Sequence, residues 1–140
     1  MMVESLVLKS KRQQRERISS ISLFREGDFN LHSGNRSNWK IDCDALTDKD
    51  WSTLAMMTSQ LFHFSAVVGI PGGGLKLANK LQKYCRKGYP TLIVDDVLTT
   101  GKSMKEARKN YPNAIGAVVF ARGECPEWIT SLFIYNGILS

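Results

Sequence analysis

Residues 92–104 read LIVDDVLTTGKSM. Three apolar residues, Leu92 to Val94, lead into two adjacent carboxylates, Asp95 and Asp96, and a Thr/Gly/Ser loop then opens into a segment of helical character. A short apolar run bounded by turn residues predicts a buried strand, and in an open α/β sheet ligands gather outside the carboxyl ends of the strands. The backbone N–H groups of Thr99 to Ser103 would there point into a common hollow at the positive end of a helix dipole, which makes a phosphate site. Thr99, Thr100 and Ser103 add hydroxyl donors, Gly101 lets the backbone come close, and Lys102 adds charge. Asp95 and Asp96 repel a phosphate, but they suit the hydroxyls of an attached sugar, which donate hydrogen bonds to carboxylates. A phosphate beside a diol means a ribose 5-phosphate. The stretch is not the GxxxxGK[ST] loop of nucleotide hydrolases. Gly101–Lys102–Ser103 copies only its last three residues, with no glycine just upstream to form the loop.

Outward from this stretch, apolar runs alternate with helical periodicity. SAVVGI (65–70) predicts a strand broken by PGGG, and LKLANKLQKYC (75–85) a helix ended by Gly88–Tyr89–Pro90. TLIVDD (91–96) is the next strand, VLTTG (97–101) a loop, and KSMKEARKNY (102–111) a helix stopped by Pro112. AIGAVVFA (114–121) and SLFIYN (131–136) complete four strands. This order predicts an α/β fold of parallel βαβ units with right-handed crossovers. Ahead of it, ISLF (21–24) and FNLHSG (29–34) are strand-like runs parted by the turn dipeptide Gly27–Asp28, and WKIDCDAL (39–46) follows. They predict a small antiparallel unit. Asp48 is the expected cap of a helix over Trp51–Phe62, with His63 just beyond it as a cap or core-edge residue. The expected organisation is a basic helix or arm over 1–19 and a single domain over 20–140, divided into 20–46 and an α/β core over 47–140.

With 140 residues, 43% hydrophobic and 23% charged, the composition excludes a disordered or coiled-coil chain. No run approaches the roughly 18 apolar residues of a membrane span. Lys9, Lys11 and Arg12 precede any long apolar run, so no signal peptide is expected. The three cysteines are odd in number and form no CxxC pair, which suits a reducing, cytoplasmic setting. A net charge of +6 fits a polyphosphate ligand or nucleic acid. With no RNA-type aromatic motif and no helix-turn-helix spacing, nucleic acid is not the expected partner.

LIVDDVLTTGKSM closely resembles the 5-phosphoribosyl-1-pyrophosphate (PRPP) signature of type I phosphoribosyltransferases, with Lys102 where a second glycine is common. The resemblance implies that Asp95 and Asp96 hold the ribose 2- and 3-hydroxyls, and that Thr99, Thr100, Gly101, Lys102 and Ser103 hold the 5-phosphate. FNLHSGNRSNWKID (29–42) looks like the N-terminal motif of the orotate branch, which forms part of the hood over the base. It implies base-side roles for His32, Ser33, Gly34, Ser37 and Lys40. VVGIPGGGLKLANKL (67–81) resembles the strand, glycine turn and helix that support pyrophosphate, implying that role for Pro71, Gly72, Gly73 and Gly74. AVVFARGE (117–124) resembles the stretch that places an arginine after the fourth core strand, where Arg122 would meet the carboxylate of orotate.

The implied fold is the Rossmann-like parallel sheet of that family, reduced by one strand, with a hood-like N-terminal unit. The implied activity is transfer of phosphoribose from PRPP to a nitrogen base, an orotate-like pyrimidine, with release of pyrophosphate. Mg2+ would be held mainly by PRPP, and a homodimer away from membranes is expected. Two departures stand out. His32 replaces the family's lysine, and between Gly74 and Thr91 there is no space for the family's further strand and mobile basic loop. Arg86–Lys87–Gly88 is a candidate remnant of that loop. Lys9, Lys11, Arg12, Arg15 and Arg17 of the arm are candidate substitutes if the arm folds over a neighbouring chain. A chain without the loop also fits a catalytically weak or inactive regulator that binds PRPP or a nucleotide.

Overall fold

The computed structural model describes residues 23–30 and 36–135, of which 24–30 and 36–40 are described by their backbone. The basic arm over 1–19 and His32, Ser33 and Gly34 lie outside the described residues. The chain divides into two compact units, Met1–Asp50 and Trp51–Ser140.

In the first unit, β1 (Phe24–Asn30) pairs antiparallel with β2 (Arg36–Ile41). The turn expected at Gly27–Asp28 is instead a β-bulge inside one strand. Glu26 faces Trp39 and Phe29 faces Ser37, so three steps on β1 oppose two on β2. Glycine tolerates that local kink, and the ladder resumes beyond it, so a turn residue does not end the strand. A 3-10 turn, Cys43–Ala45, follows, with the Asp42 carboxylate accepting the Asp44 N–H at 3.1 Å. Helix α1 (Asp48–Leu61) then begins, but its cap is Thr47 and not Asp48. Thr47 Oγ1 accepts the Asp50 N–H at 3.2 Å, and Asp50 Oδ2 accepts the Thr47 N–H at 3.0 Å. This is a reciprocal capping box with aspartate in the place of glutamate, and it accounts for the burial of Asp50.

In the second unit, four parallel strands lie in the order β3 (Ala66–Gly69), β4 (Thr91–Leu98), β5 (Ile115–Arg122), β6 (Ile129–Tyr135). Helix α2 (Gly73–Leu81) and a 3-10 turn (Gln82–Tyr84) connect β3 to β4, and α3 (Lys102–Arg108) connects β4 to β5. The last crossover, residues 123–128, carries no helix.

The apolar runs are continuous because the central strands are covered on both faces. Leu92, Ile93 and Val94 of β4 and Gly116 to Ala121 of β5 are all buried. Gly74, Leu77, Ala78 and Leu81 form the buried stripe of α2. Ile70, Ile93, Leu98, Met104, Val118 and Ile129 share one core cluster, to which each fully buried large aliphatic side chain contributes about 1.5–3 kcal/mol.

That cluster also corrects a boundary. Val97 and Leu98 are not loop but strand, paired with Phe120 and Ala121, because Leu98 is drawn into the core. The helix expected over 102–111 closes at Arg108, and Asn110 and Tyr111 bond back to Ala107 and Arg108 as turns. Among the described residues, no helix is long and apolar enough to cross a membrane.

Candidate functional site

The two expected ligand-binding segments meet at the carboxyl end of β4. Strand β3 stops where the acids begin: Gly69 is paired with Val94, and the Ile70 N–H donates to the Val94 carbonyl at 2.9 Å. The glycine turn then folds back over β4. A Cβ on Gly74 would lie 2.7 Å from the Val94 oxygen and 3.2 Å from Asp95 Cα, and a Cβ on Gly73 would overlap the Asp96 side chain. Gly74 in turn closes on β3, since a Cβ on Gly69 would stand 2.5 Å from the Gly74 carbonyl oxygen. Such spacings admit only glycine. Pro71 and Gly72 are exposed at the crest, and Gly72 has φ +101, a conformation L side chains rarely adopt.

Asp95 and Asp96 are both half-buried. The Asp96 N–H donates to Asp95 Oδ1 at 2.8 Å, and the Val97 N–H to Asp96 Oδ1 at 2.8 Å, so each carboxylate is anchored by the next backbone amide. Burial pushes the Asp95 carboxyl up from 3.8 to about 8, and the neighbouring Asp96 carboxyl adds to the rise. Burial therefore favours the protonated form of Asp95, and a cation close by would draw the carboxyl back toward its charged form.

Beyond Leu98 the chain turns through Thr99 and Thr100 into Gly101, whose φ of +80 places it in the left-handed region directly before α3. Thr99 is half-buried, while Thr100, Lys102 and Ser103 are exposed. The Lys102 N–H reaches Thr100 Oγ1 at 3.4 Å, and the Lys105 N–H donates to the Gly101 carbonyl at 2.9 Å. The expected phosphate loop is thus next to the acids, with its backbone bent around Gly101.

Arg122 reaches the same edge of the sheet. Leu98 is paired with Ala121, so Thr99 and Arg122 each lie one step beyond that pair, Thr99 just past the end of β4 and Arg122 as the last residue of β5. Arg122 is itself paired with Tyr135, and partial burial lowers its guanidinium pKa. Ser37 and Lys40 lie on β2 in the first unit, opposite Phe29 and Arg25.

Arg86–Lys87–Gly88 is not a loop at this site. The Arg86 N–H donates to the Phe64 carbonyl at 2.8 Å, which fixes the segment beside the amino ends of β3 and β4, at the other end of α2. The reason is topological: a helix that starts at the glycine turn carries everything after it away from the carboxyl edge. The sequence does not predict the placement of Gly73 over Asp96. The glycine run was a visible signal, but its partner stands in another strand. Among the described residues, no group of three or more His, Cys, Asp or Glu side chains is arranged to hold a metal ion.

No protein-family model matches the sequence. The structure is similar to orotate phosphoribosyltransferase from Aeropyrum pernix, with a TM-score of 0.68, 24% identity, and 96% of each chain covered. It is also similar to Leishmania donovani UMP synthase, with a TM-score of 0.68 and 16% identity over 96% of this chain and 37% of that one. A phosphoribosyltransferase from Corynebacterium diphtheriae matches at a TM-score of 0.65 and 13% identity, over 94% of this chain and 96% of that one. The chain therefore has the type I phosphoribosyltransferase fold. Within that class the likeness extends to the orotate phosphoribosyltransferases.

Proposed function

We propose that the chain is a phosphoribosyltransferase that binds PRPP with Mg2+ and transfers phosphoribose to an orotate-like pyrimidine, releasing pyrophosphate. The observation that carries this reading is the junction of Asp95, Asp96 and the Gly72–Gly74 turn with the loop from Thr99 to Ser103 at one end of β4. A ribose 5-phosphate lies across such a junction with its phosphate on the loop amides and its hydroxyls on the carboxylates. Its diphosphate extends toward the glycine turn, where the absence of side chains admits close approach. Orotate and related bases arrive as anions, so no general base is required. Arg122 is assigned to the base carboxylate, and the segment holding His32, Ser33, Gly34, Ser37 and Lys40 to the base side.

Asp95 and Asp96 are hard oxygen donors, and they fit a Mg2+ ion carried in by the diphosphate and ribose oxygens, with few ligands from the protein. The ion would offset charge on the departing diphosphate. We assign the protein to the cytoplasm and to a homodimer.

A second reading is a weakly active or inactive PRPP- or nucleotide-binding regulator. The direct passage from α2 into β4 favours it, because that passage puts Arg86 and Lys87 at the wrong edge to close over a leaving diphosphate. The deciding experiment is Mg2+-dependent pyrophosphate release from PRPP with orotate, uracil or a purine base. Base-dependent release supports the transferase and names the base. PRPP binding without release supports the regulator, and no PRPP binding at all overturns both.

A further inference from the structure

Between Asp50 and Asp95 the sequence contains no acidic residue, while it carries Lys76, Lys80, Lys83, Arg86 and Lys87. The fold gathers the last three of these with aromatic rings at the amino end of the sheet. The Arg86 N–H bonds to the Phe64 carbonyl at 2.8 Å and the Ser65 N–H to the Pro90 carbonyl at 3.0 Å. These two bonds hold the 85–90 segment against the one that follows α1. As a result His63 meets Tyr89, with ring centroids 5.0 Å apart, although 25 residues lie between them in sequence. Lys83 lies over the Tyr84 ring at 5.3 Å. Lys83, Arg86, Lys87 and His63 are exposed, and Tyr89 keeps 44% of its surface in solvent. None of the three cations has an ion-pair partner among the described residues.

We infer that this face is a binding site for single-stranded nucleic acid. Three exposed cations within five residues suit successive phosphates, and a solvent-facing aromatic pair offers bases a surface on which to stack. A rigid platform of this kind loses little entropy on binding, because two backbone bonds already fix it. The site is separate from the acid pair: α2, nine residues long, puts roughly 13 Å of helix between the glycine turn and this end. The inference does not rest on the proposed transferase. Motif searching misses the site because its rings come from two separate segments.

The test is fluorescence anisotropy of the full chain with labelled oligouridylate and oligothymidylate over a salt series. The two oligomers distinguish RNA from DNA as the source. The K83E/R86E/K87E variant is expected to bind about tenfold more weakly or worse, with the logarithmic salt slope reduced by about 2. Y89A is expected to weaken binding about tenfold while leaving the salt slope unchanged. Both variants alter exposed side chains, and an unchanged thermal unfolding curve verifies their fold. Absence of binding by the unmodified chain at low salt overturns the inference. So does unchanged affinity of the triple variant, which would put binding elsewhere, as on the basic stretch 9–17. Unchanged affinity of Y89A, with heparin competing as well as oligouridylate, would reduce the face to a general anion surface and would also overturn it.

Discussion

Gly73 is the seat of the Asp96 carboxylate: a Cβ at Gly73 would overlap the carboxyl group and stand 2.7 Å from Asp96 Cβ. Because Asp96 Cβ is itself in the way, a rotation about the side-chain bonds does not relieve the overlap. Either the turn or the strand must move. The glycine turn and the acid pair are therefore one mechanical unit, and the turn limits where the second acid can point. Gly73→Ala is expected to weaken Mg2+–PRPP binding at least about tenfold, the effect of misplacing one charge-assisted hydrogen bond. Gly72→Ala is the control. A Cβ there meets nothing within 4 Å, but the φ of +101 makes it strained, at about 1–3 kcal/mol of stability. Calorimetric titration of both variants should show the larger affinity loss at Gly73 and a stability loss at Gly72. Equal affinities for PRPP would contradict the seating role.

Asp95 makes folding stability depend on pH. Its folded pKa of about 8 lies above the ordinary 3.8, so between these values the folded chain keeps a proton that the unfolded chain releases. The contribution is fully present below about pH 4 and is lost as pH rises toward 8. Unfolding free energy is expected to fall by roughly 2–4 kcal/mol across that window. Asp95→Asn, neutral throughout, should flatten this dependence and be the more stable chain at pH 8. Denaturant melts at pH 5 and pH 8 provide the check, and a wild-type chain that gains stability over this interval from the site would contradict the assignment.

Much of this site is legible in sequence because its chemistry is contiguous. Asp95, Asp96 and the loop from Thr99 to Ser103 follow one another along a strand, a turn and a helix, so one spacing carries the geometry. The parallel sheet is legible for a similar reason, since each buried strand is an unbroken apolar run. What escaped depends on contacts between distant segments or on competition between local signals. Gly27–Asp28 has turn chemistry, yet pairing of β1 with β2 on both sides makes it a bulge. Val97 and Leu98 precede a polar loop, yet the core claims Leu98 and extends the strand. Asp48 is the expected cap, but the side chain of the adjacent Thr47 suits an N-cap as well. Only the reciprocal bonds with Asp50 decide between them.

The capping box offers a test that is independent of any ligand. Thr47→Ala removes the acceptor of the Asp50 N–H and should destabilise the chain by about 1 kcal/mol. Asp48→Ala removes a charge from the first turn of α1 and should cost no more than about 0.5 kcal/mol. Urea titrations of the two variants measure the difference. A larger loss at Asp48 would return the cap to it.

On the proposed function the acids and the loop contribute separably to PRPP binding, and affinity should resolve them. Asp95→Asn with Asp96→Asn removes the carboxylates that accept the ribose hydroxyls, and it is expected to weaken Mg2+–PRPP binding by about two orders of magnitude, at roughly 1.5–3 kcal/mol for each charged hydrogen-bond set lost. Inorganic phosphate lacks the ribose, so its binding to the double variant should be undiminished, and relief of like-charge repulsion should strengthen it. Gly101→Ala acts on the other half. Its φ of +80 penalises any side chain by about 1–2 kcal/mol and bends the loop amides away from their common direction, so phosphate and PRPP should weaken together. Titrating both ligands into both variants gives four affinities. If the double acid variant lost phosphate as strongly as PRPP, the division of labour between carboxylates and loop would fail. If Gly101→Ala weakened PRPP alone, the 5-phosphate would have to sit elsewhere.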